Sequence, residues 1–419
     1  MRHHFAFKIG AFYLGGLFCL GCSADDDMSS PAALAGGGAV PSANHGTSPN
    51  APGTLTAADW DDNLNFEFFQ NYLTGAKRAL GAAALASADR VEIRVATDSG
   101  APLSNARVRI YEGSTTLLDA PTASDGRLLF FPTHDGAAGQ NPEVAITLAN
   151  GEPPVVLDAP SGTRWDLTVP NALAGSPTEL DLAFVLDTTG SMSDELNYLT
   201  VELDNIVGAV RADNPAVSMR FALVVYRDHG DPYVTRPFDF TSDLQAFKGV
   251  LSQQHASGGG DMPEAADEAL ADTLQLSWRE GNVARLAFLV ADAPPHRDRE
   301  GAFLAHVDAA RKAGIKLYPV AASGVDDKAE YLWRASAEWT LARYLFLTDD
   351  SGIGNDHAEP HIPCFEVTRL NALMTRMVRS ELAGHFIAPN ANEVLRAAGN
   401  PINGVCSLGL HALYLYPPE

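Results

Sequence analysis

The chain has 419 residues, of which 46% are hydrophobic and 19% are charged, a balance that is ordinary for a folded protein of two or three domains. Its formal net charge of -23 argues against nucleic acid, or an anionic bilayer surface, as the main partner, because either would repel an acidic protein. The same acidity is compatible with the binding of cations.

The first 22 residues have the pattern of a secretory signal sequence. Arg2 and Lys8 form a short basic start, and an apolar run follows up to Cys22. The run is too short to span a bilayer, which takes about 20 apolar residues. It ends in CLGC, which resembles the lipobox of bacterial lipoproteins and implies that Cys22 is lipidated. We therefore expect a lipid-anchored protein of the bacterial cell envelope, at the outer membrane or cell surface, with no other membrane contact; secretion after ordinary cleavage is the alternative.

Two segments of contrasting composition follow. Residues 23–54 are rich in Ser, Ala, Gly, Pro and Asn and contain no aromatic residue, which predicts a flexible tether. Residues 55–87 include Trp60, Phe66 and Tyr72 and are too apolar to remain loose. We expect them to form a short helical segment that docks on a neighbouring domain.

Residues 88–175 consist of short β-rich runs separated by Gly, Pro, Asn and Asp, which predicts a small all-β sandwich. The pattern G-x-P-L-x-N-A-x-V-x-I, followed by TASDGRLLFFP, resembles carboxypeptidase regulatory-like and transthyretin-like sandwiches. The resemblance implies a spacer or a binding module, and the segment shows no catalytic cluster.

The pattern changes again between residues 178 and 385. A continuous apolar run, ELDLAFVLD, is typical of a strand buried on both faces of a sheet. Helical patterns then alternate with further strands, of which YVTRPFDF follows SMRFALVVYRD closely enough to form a hairpin and RYLFLTDD is the last. The alternation predicts an α/β fold with a doubly wound, mostly parallel sheet. Residues 386–419 then form a C-terminal extension.

Oxygen-bearing side chains follow the strands of this predicted sheet. VLDTTGSM places Asp187, Thr189 and Ser191 directly after a buried strand. The loop GGGDMPEA contributes Asp261, and FLVADAPPH contributes Asp292. Buried carboxylates and hydroxyls are costly unless they are satisfied, and they are the hard ligands that Mg²⁺, Ca²⁺ and Mn²⁺ prefer. Because these loops leave the same edge of the sheet, the sequence predicts a divalent cation site there.

The same residues carry a family resemblance. Asp187, Thr189 and Ser191 fill the D-x-S/T-x-S pattern of a metal-ion-dependent adhesion site, and Asp292 fills the place of the aspartate after a later strand. Over roughly residues 178–385 the chain resembles the von Willebrand factor type A domain. The resemblance implies that the two hydroxyls bind the metal directly, that the aspartates often act through water, and that one coordination position is left for a partner.

We therefore expect a protein that is not an enzyme and that binds a protein ligand through Mg²⁺ or Ca²⁺, with Mn²⁺ also fitting. The ligand is expected to offer a carboxylate. Two alternatives stay open: a metal-dependent hydrolase that uses His229 or His296 as its base, and a scaffold whose metal is purely structural. No nucleophile motif, Walker loop or dinucleotide-binding motif occurs in the sequence.

The chain departs from the family at Asp261, where the family has threonine. Asp261 is either a further metal ligand or, together with Glu264, part of a D-x-x-E capping box for the helix that follows. A helix N-cap at Ser193 is the corresponding alternative for the first loop, and it does not account for Asp187 and Thr189.

Two other polar segments are open to more than one interpretation. YRDHGD, which follows the second strand, is expected to be a solvated hairpin tip, with the rim of the metal site as the alternative. In residues 349–364, Asp356, His357 and His361 give either a second metal site or an ordered loop held by Cys364. Pro360 excludes the helix that an H-E-x-x-H zinc motif requires.

The cysteines indicate one disulfide. Cys19 is removed with the signal sequence and Cys22 is expected to hold lipid, which leaves Cys364 and Cys406. In an oxidising compartment these two are expected to be joined, and two separate buried thiols are the alternative.

Overall fold

The computed structural model describes residues 52–406, apart from residues 82, 84, 85, 139–141, 149–153, 261 and 403. The predicted signal sequence, the expected lipidation site Cys22 and all but the last residues of the predicted tether lie outside the described residues, and so does Asp261. Among the described residues, no helix combines the length and the apolar composition that a bilayer span requires.

Strands and helices alternate along most of the chain. The strands are β1 (Thr56–Trp60), β2 (Val91–Thr97), β3 (Arg107–Glu112), β4 (Thr115–Pro121), β5 (Arg127–Phe130), β6 (Glu143–Thr147), β7 (Val155–Asp158), β8 (Arg164–Val169), β9 (Glu179–Asp187), β10 (Ser218–Tyr226), β11 (Thr235–Thr241), β12 (Val283–Ala291), β13 (Ile315–Ala321), β14 (Tyr344–Thr348), β15 (Phe365–Arg369), β16 (Arg396–Ala398), β17 (Pro401–Ile402) and β18 (Val405–Cys406). The α-helices are α1 (Phe66–Leu80), α2 (Leu196–Asp213), α3 (Leu244–Leu251), α4 (Ala266–Gln275), α5 (Glu300–Ala313), α6 (Asp327–Trp339) and α7 (Leu370–Ala383). Short 3₁₀ turns cover Gly190–Asp194 and Asp349–Ser351.

One large mixed sheet organises the described structure. Its strand order is β11-β10-β9-β12-β13-β14-β1-β15-β16. The neighbours from β10 to β14 pair in parallel, whereas the other four pairings are antiparallel. The α/β fold is confirmed, but the expectation of a mostly parallel sheet was wrong, because strands from both ends of the chain extend the sheet in the antiparallel direction.

The helices form two contacting groups around this sheet. α2 contacts α3 and α7, while α4, α5 and α6 contact one another in succession and α6 contacts α1. Two such groups are expected where helices cover both faces of a sheet. Every residue of β12 and of β14 is buried, in keeping with strands that are covered on both sides.

Residues 55–87 are more than the helical docking segment that the sequence analysis expected. They begin with β1, which lies inside the large sheet, so that Ala58 is opposite both Phe346 of β14 and Val367 of β15. α1 then follows as expected. Just before it, Asp62 accepts a hydrogen bond of 2.7 Å from Arg334 of α6, and both side chains are buried. The strand was missed because it is short and buried at nearly every position, so it lacks the apolar–polar alternation of a half-buried strand.

Two smaller sheets lie between α1 and β9 in the sequence. Their strand orders are β5-β2-β8 and β4-β3-β6-β7. Side chains from both sheets, such as Ile93 of β2 and Ile110 of β3, share a hydrophobic core separate from that of the large sheet. The residues of β8 alternate between exposed and buried, as a half-buried strand requires.

The C-terminal part of the chain also joins the large sheet, and RYLFLTDD is not its last strand. β15 pairs with β1 on one side and with β16, from the expected C-terminal extension, on the other. β15 (Phe365–Arg369) leads directly into α7, which begins at Leu370. Cys364 and Cys406 are joined by a disulfide, with Cα atoms 5.8 Å apart, which ties the residue before β15 to β18.

Candidate metal centre

Two neighbouring strands bring two of the expected site residues to the same edge of the sheet. β9 and β12 are parallel, with Leu186 opposite Val290. Asp187 ends β9 and Asp292 directly follows β12, so both leave the sheet at its carboxyl edge. Asp187 is fully buried and Asp292 is 3% exposed. This edge is where open α/β sheets bind their ligands.

The loop after β9 is held by its own side chains. Thr189 donates its backbone N–H and its hydroxyl to Oδ1 of Asp187, at 2.8 and 2.6 Å. The Ser191 hydroxyl lies 3.1 Å from that of Thr189. The three side chains named from their spacing therefore lie around one turn. The other Asp187 oxygen, Oδ2, is buried without a hydrogen-bond partner among the described residues.

Ser193 is not the N-cap of α2, and Glu264 precedes the N-cap position of α4. Ser193 lies within a 3₁₀ turn, and α2 begins only after Glu195, whose side chain makes no capping hydrogen bond. α4 likewise has Ala265 at its N-cap position. Glu264 lies before that position, so it cannot be the N3 residue of a capping box for α4, and its backbone forms a β-bridge with Pro295. The role of Asp261 itself lies outside the described residues.

The glycine-rich loop before α4 packs directly on the first loop. Gly190 donates its N–H to the carbonyl oxygen of Gly258 at 3.0 Å. Gly258 and Gly259 have φ angles of 84° and 70°, in the left-handed region that favours glycine. A Cβ atom on Gly258 would collide with the Asp231 carboxylate, and one on Gly259 would lie 2.9 Å from Oε1 of Glu264. Glycine at these positions thus lets the loop approach the acidic side chains.

Glu264, for which the sequence suggested only a helix-capping role, also lies at this edge. Its side chain is 2% exposed, and Oε2 has no hydrogen-bond partner among the described residues. Its backbone N–H bonds the carbonyl oxygen of Pro294 at 3.0 Å, which fixes it beside the loop that carries Asp292. Burial, followed by the nearby charge of Asp187, raises the pKa of Glu264 to about 9. In the sequence, Glu264 is visible only as the second acidic residue of GGGDMPEA. No spacing rule distinguishes a helix-capping carboxyl from one that faces the interior.

Three buried carboxyl groups therefore meet at this edge. Burial is the main cause that raises the pKa of Asp187 and of Asp292, and the neighbouring Asp292 charge adds to the shift of Asp187. One oxygen of each group lacks a described partner: Asp187 Oδ2, Glu264 Oε2 and Asp292 Oδ1. Unpaired buried carboxylates are strongly unfavourable, and a cation close to them would offset their mutual repulsion. The donor set fits a hard divalent cation.

The segment after β10 forms the rim of this site rather than a solvated hairpin tip alone. Asp228 is buried and lies 2.6 Å from Nε2 of His296. Asp231 accepts a 2.8 Å hydrogen bond from the N–H of Gly259, so it anchors the glycine loop. His229 is the exposed residue of the tip, and its Nε2 lies 3.1 Å from Glu268.

The histidines of residues 349–364 do not form a second metal site. His357 lies between two carboxylates, with Nε2 2.7 Å from Glu195 and Nδ1 2.8 Å from Asp349. His361 instead contacts Glu330, with Nδ1 at 2.8 Å. Burial acts to lower the pKa of His357, but the hydrogen bonds to its two carboxylate partners raise it overall. The segment is an ordered loop, and its contact with Glu195 ties it to the start of α2.

Comparison with known proteins identifies the segment that contains this edge. Residues 181–334 match the von Willebrand factor A domain family. The chain is 34% identical over 117 residues to an ariadne-like RING finger protein of Acanthamoeba polyphaga mimivirus. It is 36% identical over 140 residues to von Willebrand factor A domain-containing protein 7 of Rattus norvegicus, and 39% identical over 114 residues to that of Homo sapiens. The matches take in 28%, 33% and 27% of this chain but span only 11%, 15% and 12% of those relatives.

Proposed function

We propose that this chain, which contains a von Willebrand factor A domain, binds a protein partner through a divalent cation. Such a domain indicates an interaction or adhesion-type function. The cation would be held by Asp187, Thr189, Ser191 and Asp292. A carboxylate from the partner would complete its coordination. Asp261 is a further proposed ligand.

The three buried carboxyl groups carry this proposal. Asp187, Glu264 and Asp292 each have a buried oxygen without a described partner, and all three have raised pKa values. Each additional carboxylate makes ionisation of the others harder in the absence of a counter-charge. A divalent cation reverses that relation, because it favours the ionised form of every carboxyl near it. The cluster is therefore better suited to holding a cation than to stabilising the fold alone.

The donor atoms also indicate which cation fits. Carboxylate and hydroxyl oxygens are hard ligands, suited to Mg²⁺ or Ca²⁺ and also to Mn²⁺. Zinc prefers nitrogen and sulfur ligands, and both rim imidazoles are already paired, His229 with Glu268 and His296 with Asp228. We therefore assign the site to Mg²⁺ or Ca²⁺ rather than to zinc.

Anchoring at the cell envelope belongs to the same proposal. A lipid on Cys22, followed by a tether over residues 23–54, would hold the folded part away from the membrane while leaving the carboxyl edge of the sheet accessible to a partner. Secretion without a lipid would instead make the protein a soluble ligand or adaptor for the same kind of partner.

Cation binding is tested first by calorimetric titration of Mg²⁺ and Ca²⁺ into the metal-free protein. We expect Asp187→Asn and Asp292→Asn to lower the affinity at least about tenfold, because each removes a negative charge from the site. Asp166→Asn is the control, since Asp166 is an exposed residue of β8. Wild-type protein that binds none of Mg²⁺, Ca²⁺ and Mn²⁺ would refute the proposal.

Partner binding is tested by capture from cell-surface extracts with and without a chelator. The proposal requires that the chelator and Asp187→Asn each abolish capture of the same protein, while Asp166→Asn retains it. Capture that is insensitive to chelator would instead support a structural metal. Turnover of a substrate that His296→Ala abolishes would support the hydrolase alternative, for which the 2.6 Å contact between His296 and Asp228 is the supporting observation.

A further inference from the structure

A second concave surface lies at the opposite edge of the large sheet. A cleft of about 990 Å³, the basal cleft, opens between the first residues of β12 and β13 and the pair β3 and β4. Ligand pockets commonly have volumes of about 300–1,000 Å³. Arg285, on the wall of the cleft, lies near the start of β12, and Asp292 directly follows the end of the same strand. At about 3.3 Å per residue, the two residues are roughly 23 Å apart. The basal cleft is thus distinct from the cation site.

The described lining of the basal cleft is basic, although the whole chain has a net charge of -23. The charged side chains that line it are Arg107, Arg279, Arg285, Lys312 and Glu280. Arg279 is fully occupied by Asp181 and other acceptors, and Lys312 is paired with Asp308 at 2.7 Å. Arg107 and Arg285 are therefore the cations with donors to spare.

Arg285 has no ion-pair partner among the described residues, although it is only 8% exposed. Its guanidinium donates to three neutral oxygens: the Arg279 carbonyl at 2.6 Å, Asn105 Oδ1 at 2.9 Å and the Gly281 carbonyl at 3.3 Å. No described carboxylate lies within ion-pair distance, and a guanidinium has five N–H donors, so two remain. Burial lowers the pKa of Arg285. The charges of Asp181 and Glu280 oppose this effect only in part. A buried cation without an ion-pair partner is costly, and an anionic ligand would supply that partner.

Arg107 offers donors from the other wall of the cleft. Its Nε pairs with Asp119 at 2.6 Å, and the side chain is 53% exposed. The lining also includes the apolar side chains of Leu148, Leu276 and Trp278. A ligand that satisfies both surfaces must combine an anionic group with an apolar body.

We propose that the basal cleft binds a small organic anion, whose carboxylate or phosphate group contacts Arg285 and Arg107 and whose apolar body packs on the leucines and Trp278. Guanidinium groups match the planar, two-oxygen geometry of carboxylate and phosphate, which favours this ligand class over a neutral one. The site needs no divalent cation and goes beyond the proposed partner binding at the other edge of the sheet.

The proposal is tested with three probes: phenyl phosphate, benzyl alcohol and inorganic phosphate. Each is titrated into the full chain in the presence of chelator and followed by ligand-observed NMR. We expect phenyl phosphate to bind saturably and at least about tenfold more tightly than either of the others, since only it offers both the charge and the ring. Equal binding of benzyl alcohol, or no saturable binding of phenyl phosphate, overturns the proposal.

Variants locate the binding. Arg107→Gln and Arg285→Gln should each weaken phenyl phosphate binding about tenfold or more, because each loses a charge-assisted hydrogen bond. Arg109→Gln is the matched control, since Arg109 also lies on β3 and pairs with Asp119, at 3.0 Å, but does not line the cleft. Arg107 is exposed, so its variant tests the site even if Arg285→Gln fails to fold. Equal effects of Arg107→Gln and Arg109→Gln would refute the assignment.

Discussion

Replacing Glu264 by glutamine tests whether the buried carboxyls at the sheet edge form an ion site. The pKa of Glu264 is raised from 4.5 to about 9, first by burial and then by the charge of Asp187. The pKa of this carboxyl is higher in the folded state than in the unfolded state. At pH values between these two pKa values, the folded state therefore binds more protons than the unfolded state. The free energy of unfolding of the metal-free protein should therefore fall as the pH rises through that window.

The size of the effect follows from the linkage. Between pH 5 and pH 7 a fully expressed shift lowers the free energy of unfolding by about 2.7 kcal/mol, at about 1.36 kcal/mol per pH unit. Water at the edge of the site screens part of this electrostatic effect, so we expect the free energy of unfolding to fall by about 1.5 kcal/mol. Glutamine does not titrate, so the metal-free Glu264→Gln protein should not undergo this loss. Between pH 5 and pH 7 its free energy of unfolding should therefore fall by about 1.5 kcal/mol less than that of wild type.

Urea unfolding at the two pH values, in chelator and then in saturating Mg²⁺ or Ca²⁺, measures this difference. Glu268→Gln is the control, because Glu268 is partly exposed and pairs with His229 outside the buried cluster. In the presence of the cation the order should reverse, since wild type then has an ionised carboxylate near the cation that the variant lacks. Identical pH dependence of wild type and Glu264→Gln, together with equal stabilisation by the cation, would refute the reasoning.

Three further predictions concern the loops and the covalent chemistry. Gly259 has a left-handed backbone, so Gly259→Ala should lower the cation affinity and destabilise the fold by about 1–3 kcal/mol. Gly208 lies in a helix with open space around it, so Gly208→Ala should have neither effect. Calorimetry measures the cation affinity of the two variants, and urea unfolding measures their stability. Reduction of the disulfide between Cys364 and Cys406, which closes a loop with a sequence separation of 42, should cost about 4 kcal/mol in the chain-entropy model; unchanged unfolding in reductant would contradict it. Mass spectrometry of the protein from a bacterial host should show a lipid on Cys22, and an unmodified N-terminus elsewhere would disprove this.

The position of the site at the ends of strands could be predicted from the sequence, because its residues directly follow apolar strand patterns. ELDLAFVLD is apolar throughout, which is typical of a doubly buried strand, and Asp187, Thr189 and Ser191 stand two residues apart directly after it. Local hydrogen bonds then complete the turn, with Thr189 bonded to Asp187. Asp292 was predicted in the same way, from the end of a second apolar strand.

Glu264 could not be identified in this way, because its role depends on contacts between loops. In the sequence it is one acid before a helix, and capping is the commonest role for such a residue. Its position is set by a β-bridge to Pro295 and by the glycine loop that packs beside it. Arg285 is a similar case, since its lack of an ion-pair partner among the described residues depends on contacts with distant segments, such as that with Asn105.

The sequence by itself determined the α/β alternation, the short strands of residues 88–175 and the three-residue motif after β9, because hydrophobic periodicity and residue spacing are local properties. Only the tertiary structure decided the direction and the extent of the large sheet. β1 lies between β14 and β15, and β16 adds an edge strand, so segments from both ends of the described chain complete a sheet whose centre the sequence had identified. These strands are held by pairing with distant partners and by burial, and a short buried strand carries no pattern of its own that reveals which neighbour it will join.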